Sequence, residues 1–142
     1  NIHRHNEKDN NTVETLLALK AQGYRIVATT PHKNDCTADN LPVDKKLALV
    51  FGTELDGITQ DVYDHADEFV KIPMYGFTES FNVSVCAALC LYELTTRIRK
   101  TVPNYLLNEQ QKLDTYFEWL KNSVDKSDAL ISNYLENRIL KE

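Results

Sequence analysis

The chain has 142 residues, with 16 Lys and Arg against 21 Asp and Glu, and carries a formal net charge of −5 with neutral histidines. That length holds one domain of ordinary size rather than two, and 42% hydrophobic and 26% charged residues with only four Gly and four Pro exclude a disordered or fibrous chain. The longest apolar stretches, residues 47–51 and 85–92, fall short of the roughly 20 apolar residues of a membrane-spanning helix, and the acidic total argues against nucleic acid held by the overall field, leaving only a local basic patch to do so.

The first residue is Asn1, no signal peptide is visible, and the start reads as a cut. Asn11 followed by Glu14 has capping-box spacing, and Val13, Leu16, Leu17 and Leu19 supply an apolar stripe that stops at Gly23, so a helix is expected over about 12–22. Residues 24–29 (YRIVAT) and 46–51 (KLALVF) read as buried strands ended by Pro31 and Gly52. Between them, residues 33–44 are polar and hold Pro42, which predicts a loop with one short turn at most. A short helix over 59–66, a third strand over 67–72 (DEFVKI) closed by Pro73, and a long helix over 82–99 follow. This alternation predicts an α/β fold with a parallel sheet flanked by helices, because parallel strands need crossovers. Beyond Pro103, apolar positions such as Leu113, Phe117, Leu120 and Val124, then Leu130, Ile131, Tyr134, Leu135 and Ile139, predict two amphipathic helices joined near 125–128. The domain is accordingly expected over 1–100, with a helical C-terminal extension over 101–142.

Cys36, Cys86 and Cys90 are an odd number without zinc spacing. Cys86 and Cys90 share one helix face and are expected to pack as small hydrophobes, which suits a reducing cytoplasm. No metal role is expected for His3, His5, His32 or His65, none of which stands obviously near the motif loops discussed next. The His3-Arg4-His5 run is weakly basic and reads as a solvated strand end rather than a phosphate contact.

In an open parallel sheet the ligand lies at the carboxyl ends of the strands. Here those ends are 29–31, 51–57 and 72–82, and three of the four glycines fall in the last two. The third loop runs straight into a helix starting Asn82-Val83-Ser84, so Ser80 or Asn82 is placed to cap free amides or to leave that helix end open to an anion. Glu54, between Gly52 and Gly57, is either a surface acid or a carboxylate that positions a reacting group.

Residues 49–93 resemble the two C-terminal signature motifs of the SpoU/TrmH group of RNA 2′-O-ribose methyltransferases, in the SPOUT superfamily. The first motif is Gly-x-Glu-x-x-Gly, at Gly52, Glu54 and Gly57; the second is Ile-Pro-Met-x-Gly-x-x-x-Ser-Leu-Asn-Val-Ser, at residues 72–84, departing only where Phe81 replaces Leu. The Ala28-Thr29-Thr30 strand end upstream is also similar. The resemblance covers about residues 1–100. It implies an α/β fold with a C-terminal trefoil knot, an exception to the rule against threaded connections, together with a homodimer and S-adenosylmethionine as cofactor. Carried over by motif position, it implies cofactor contacts at Thr29, Gly52, Ile72 and Phe81, with Thr30, Glu54, Gly57, Met74 and Gly76 as neighbours. It places Ser80 and Asn82 nearest the target ribose, with Glu54 as a third catalytic candidate. Arg97, Arg99 and Lys100 are the RNA-binding candidates, and a role beside the helix dipole is their alternative.

Methyl transfer from a sulfonium to a hydroxyl requires in-line positioning and a proton acceptor. The family's N-terminal Asn-and-Arg motif is absent from these residues, so the resemblance implies the C-terminal part of a longer catalytic domain. The expected function is therefore 2′-O-ribose methylation of tRNA or rRNA in the cytoplasm, with no membrane partner. Two alternatives are a catalytically silent RNA-binding or dimerisation scaffold and, more weakly, a base methyltransferase.

Overall fold

The computed structural model describes residues 4, 5, 10–33, 35–78 and 80–139. Two compact units are delimited, residues 1–103 and 104–142. His3 lies outside the described residues, while Arg4 and His5 are exposed.

In the first unit, α1 (Thr12–Ala21) is followed by β1 (Tyr24–Thr29), β2 (Cys36–Thr37), β3 (Lys46–Val50), α2 (Gln60–His65), β4 (Glu68–Lys71) and α3 (Val83–Thr101). All pairings are parallel and the strand order is β2-β4-β1-β3. The period-two side-chain alternation of a strand sorts the core into two layers. Ile26 and Ala28 of β1 and Phe69 of β4 pack with Leu16 of α1 and Val62 of α2 on one face. Val27 and Val70, their immediate neighbours in sequence, pack with Leu41 and with Leu94 of α3 on the other. The parallel α/β sheet expected from the sequence is therefore present. β1 at its centre is buried on both sides, with Ile26, Val27 and Ala28 at 0% exposure.

Two local expectations fail. Asn11 stands at the N-cap of α1 without a side-chain cap bond; Asn10 Oδ1 accepts from the Thr12 amide instead, at 3.0 Å. The segment 33–44 is more than loop, because Cys36 and Thr37 pair with Val70 and Lys71 to form the edge strand β2. Such a short strand has no pattern of its own and exists because β4 offers it an edge.

Asp67 fixes the start of β1 against β4. Its amide donates to Ile26 O at 2.9 Å, its carboxylate accepts from Ile26 N at 2.7 Å, and Lys20 Nζ reaches it at 2.6 Å. On the neighbouring face Arg25 donates to Pro42 O and lies 3.5 Å from Glu68 and 3.6 Å from Asp44.

The second unit is a helical pair, α4 (Glu109–Ser123) and α5 (Ser127–Ile139). Asn108 and Gln111 form a reciprocal capping box at the start of α4. The turn between the helices is held by Lys121 and Asp128 at 3.2 Å, with Lys126 at positive φ. No helix among the described residues is long and apolar enough to cross a membrane.

Candidate active site

Three loops leave the carboxyl ends of β1, β3 and β4 and enclose a cleft of about 350 Å³. This size lies within the range of small-molecule pockets, roughly 300–1,000 Å³.

The first wall continues β1. Thr30 donates its amide to Val70 O at 3.1 Å, which extends the β1–β4 ladder one residue beyond the strand. The Thr29 hydroxyl donates to Val50 O at 3.2 Å, tying this wall to the end of β3. The chain then turns at Pro31 and His32, both on the cleft.

The second wall is a tight loop after β3. Thr53 and Gly57 exchange backbone hydrogen bonds at 2.9 and 3.1 Å, and the Asp56 amide reaches Thr53 Oγ1 at 3.1 Å. A Cβ on Gly52 would lie 2.1 Å from the carbonyl carbon of Gly57, while Gly57 itself has φ of +68°. Both glycines are thus demanded by the loop's own geometry, one by close backbone approach and one by left-handed conformation. The loop's tip carries Glu54, Leu55 and Asp56, all exposed.

The third wall brings Ile72, Met74, Ser80 and Phe81 to the cleft and then opens α3. Asn82 is the N-cap, its Oδ1 accepting from the Ser84 amide at 2.9 Å, and its Nδ2 donates to Glu54 Oε1 at 2.7 Å. One turn into α3, Cys86 reaches the cleft. Burial pushes its thiol above the ordinary value, against the opposing contacts of Cys90 and Thr29. Cys90 is fully buried, and burial, reinforced by Cys86, pushes it up to about 12. Among the described residues there is no cluster of His, Cys, Asp and Glu able to hold a metal.

Of the residues singled out from the motifs, Thr29, Thr30, Gly52, Glu54, Gly57, Ile72, Met74, Ser80 and Phe81 line this cleft. Asn82 joins it through Glu54. Gly76, exposed and at φ +142°, is outside the lining. The basic candidates separate: Arg97 is half-buried and donates to Ala38 O at 2.8 Å, whereas Arg99 and Lys100 are exposed in the last turn of α3.

The histidines do not all stand apart from the motif loops, since His32 lines the cleft and its amide donates to Thr30 Oγ1 at 3.3 Å. Tyr63 of α2 was also missed; its phenol oxygen lies 3.1 Å from Thr30 Oγ1. No local pattern marked it, because the sheet, not the sequence around it, brings α2 beside the end of β1.

An open parallel sheet with a partly apolar cleft at its strand ends, fenced by a glycine loop and a capped helix, defines an α/β protein built to hold a small organic ligand. The chain belongs to the SpoU rRNA Methylase family, whose model matches residues 3–92. A tRNA (guanosine(18)-2′-O)-methyltransferase of Borreliella burgdorferi is 42% identical over 119 residues, 84% of this chain and 54% of the relative. A protein of the same description from Aquifex aeolicus is 40% identical over 87 residues, 61% of this chain and 41% of the relative. The chain thus spans about half the length of the curated relatives it matches. Among solved structures, the A. aeolicus TrmH/SpoU tRNA modifying enzyme superposes with a TM-score of 0.71 at 32% identity, covering 82% of this chain and 60% of that one. The SpoU methyltransferase AviRb from Streptomyces viridochromogenes, solved in complex with the cofactor AdoMet, gives 0.52 at 28% identity over 62% of this chain and 34% of that one.

Proposed function

We propose that this chain supplies the cofactor-binding half of an S-adenosylmethionine-dependent RNA 2′-O-ribose methyltransferase acting on tRNA or rRNA. The observation that carries the reading is the joining of Glu54 to Asn82 across the mouth of the cleft, which links the two motif loops in the protein itself. Family membership and the tRNA 2′-O-methyltransferase relatives support the same reaction.

The residues fit the cofactor. Val70, Ile72, Met74 and Phe81 offer apolar contact to a flat base, and the 51–58 loop, closed on itself by the Thr53–Gly57 bonds, gives the cleft a fixed backbone wall. When bound, S-adenosylmethionine supplies an electrophilic methyl group on a sulfonium with a good leaving group. The protein's part is positioning. Thr29, Thr30, Gly52, Gly57, Ile72, Met74 and Phe81 hold the cofactor, with Gly76 shaping the third loop. Glu54 fixes the amide of Asn82, and Asn82 with Ser80 orients the ribose hydroxyl.

Arg99 and Lys100 are the stronger candidates for RNA phosphate. Arg97 is engaged with Ala38 O and faces Asp39, which hydrogen bonds from Thr37 and its own backbone hold low, with the Arg97 charge adding to them. Replacing Arg99 and Lys100 by Ala is expected to weaken RNA binding and reduce its salt slope by about 1 per lost contact.

The trefoil knot, a homodimer and a cytoplasmic location belong to the same proposal. The likeness to the TrmH/SpoU fold supports the knot. Exposed Val85, Leu89 and Tyr92 on α3 support a helix-packed dimer. Free Cys36, Cys86 and Cys90 support a reducing compartment.

Calorimetry with S-adenosylmethionine, followed by methylation of tRNA and rRNA transcripts and mapping of alkali-resistant linkages, tests the function. Binding with a new resistant linkage is expected. Absence of cofactor binding overturns the enzyme, and a product that remains alkali-sensitive assigns the methyl group to a base.

A further inference from the structure

Among the described residues, the Thr30–Tyr63 pair on the cleft wall holds one hydroxyl proton without an acceptor. Thr30 is 5% exposed and its amide is spent on Val70 O. Its Oγ1 accepts from the His32 amide at 3.3 Å and lies 3.1 Å from the Tyr63 phenol oxygen, where either atom can be the donor. Two hydroxyls share that single contact, so one proton bridges them and the other meets no acceptor among the described residues. Whichever way the bridge runs, the pair is left as a net donor.

The donor is also preorganised. Tyr63 stacks on Phe69 with ring centroids 5.5 Å apart and an interplanar angle of 29°, and Lys33 Nζ sits 4.0 Å over the Phe69 ring and 5.7 Å from that of Tyr63. Both Thr30 and Tyr63 line the cleft, so the spare proton is open to an acceptor on whatever fills it. A hydroxyl donor matches an unprotonated ring nitrogen.

We propose that the Thr30–Tyr63 hydroxyl pair donates a hydrogen bond to a ring nitrogen of the cofactor's adenine, which makes Tyr63 a specificity-determining residue of the cleft. This rests on the cofactor reading above. A purely apolar slot accepts any flat base, whereas a fixed donor discriminates by the position of the acceptor.

The test is calorimetric titration of S-adenosylhomocysteine, and of its 1-deaza, 3-deaza and 7-deaza analogues, into the full chain and into Tyr63→Phe, which keeps the ring and its stacking. Thr30→Val is the second variant. Tyr63→Phe is expected to weaken the parent ligand about 5- to 20-fold. One deaza analogue, lacking the accepting nitrogen, is expected to bind wild type and Tyr63→Phe alike, and Thr30→Val to follow the same pattern. Unchanged affinity in Tyr63→Phe, or an equal loss for all four ligands, overturns the proposal while leaving the cofactor site standing. Failure of the wild-type chain to bind any of them overturns the cofactor reading and this inference with it.

Discussion

Asn82 Nδ2 donates to Glu54 Oε1 at 2.7 Å while Asn82 Oδ1 accepts from the Ser84 amide at 2.9 Å. The two bonds fix which way the amide faces, so one side chain caps α3 and anchors the glycine loop at once. Asn82→Ser keeps a capping oxygen and loses the reach to Glu54. It is expected to change stability by less than about 0.5 kcal/mol, because Ser is a good N-cap, to leave cofactor affinity within about twofold, and to lower methyl transfer by roughly tenfold or more, a loss of about 1.4 kcal/mol in transition-state stabilisation. Single-turnover rates beside calorimetry measure both, and an unaltered rate removes Asn82 from the reaction.

The two glycines of the second loop predict unequal costs. Gly52→Ala sets a Cβ 2.1 Å from a backbone carbon and 2.4 Å from the Ile58 amide nitrogen, so the loop must open; a loss of about 3 kcal/mol or more is expected, with cofactor binding abolished. Gly57→Ala meets open space at φ +68° and is expected to cost only the left-handed penalty, about 1–2 kcal/mol. Urea denaturation of the two variants decides it, and equal losses would show that the backbone at Gly57 yields easily.

How far the sequence alone could be read follows from where each signal resides. β1, β3 and β4 are short apolar-rich runs followed by Pro or Gly, and α3 is a long apolar segment with a cap, so each announces itself locally. β2 does not, because Cys36 and Thr37 become a strand only through pairing with Val70 and Lys71. At the start of α1 the N-cap position, Asn11, was legible but the side-chain bond was not, because Asn10 and Asn11 are chemically alike and it is Asn10 Oδ1 that accepts from the Thr12 amide. Within the site, the motif residues were nameable but the Glu54–Asn82 bond spans 28 positions. Tyr63 and His32 lie in no motif, and they reach the cleft through the sheet order.

Asp67 predicts an acid-side loss of stability. Burial alone raises its carboxyl, but the Lys20 and Ile26 hydrogen bonds and the charges of Lys20 and Arg25 outweigh that and hold it below the ordinary value. In the unfolded chain the group takes up a proton near the ordinary pKa of about 3.9. Its contribution is therefore complete above that pH and disappears as pH falls through the depressed native value. Asp67→Asn is expected to lower stability at pH 7 by about 1–2 kcal/mol, a modest figure because the pair is partly solvated, and to flatten the pH dependence. Melting curves from pH 7 to pH 3 that run parallel for the two proteins would exclude this.

The thiols predict a labelling pattern. Cys90, fully buried and pushed up to about 12, is expected to resist iodoacetamide at pH 8, since the thiolate is the nucleophile. Cys86 is raised by burial but lines the cleft, so slow alkylation that S-adenosylhomocysteine suppresses further is expected there. Cys36, raised by burial and then by Glu68 and Asp35, is expected to label at a rate the ligand leaves alone. Peptide mapping by mass spectrometry reads all three, and Cys86 labelling indifferent to saturating ligand would place the ligand elsewhere.

The central position of β1 has a consequence for biogenesis. The strand leaves the ribosome before both of these partners, β3 at Lys46–Val50 on one side and β4 at Glu68–Lys71 on the other. About 40 residues separate the end of β1 from β4, which at roughly 5–20 residues per second is about 2–8 s of synthesis. Throughout that interval Ile26-Val27-Ala28 has at least one unpaired edge, so the nascent chain carries its most apolar β segment unprotected until β4 emerges.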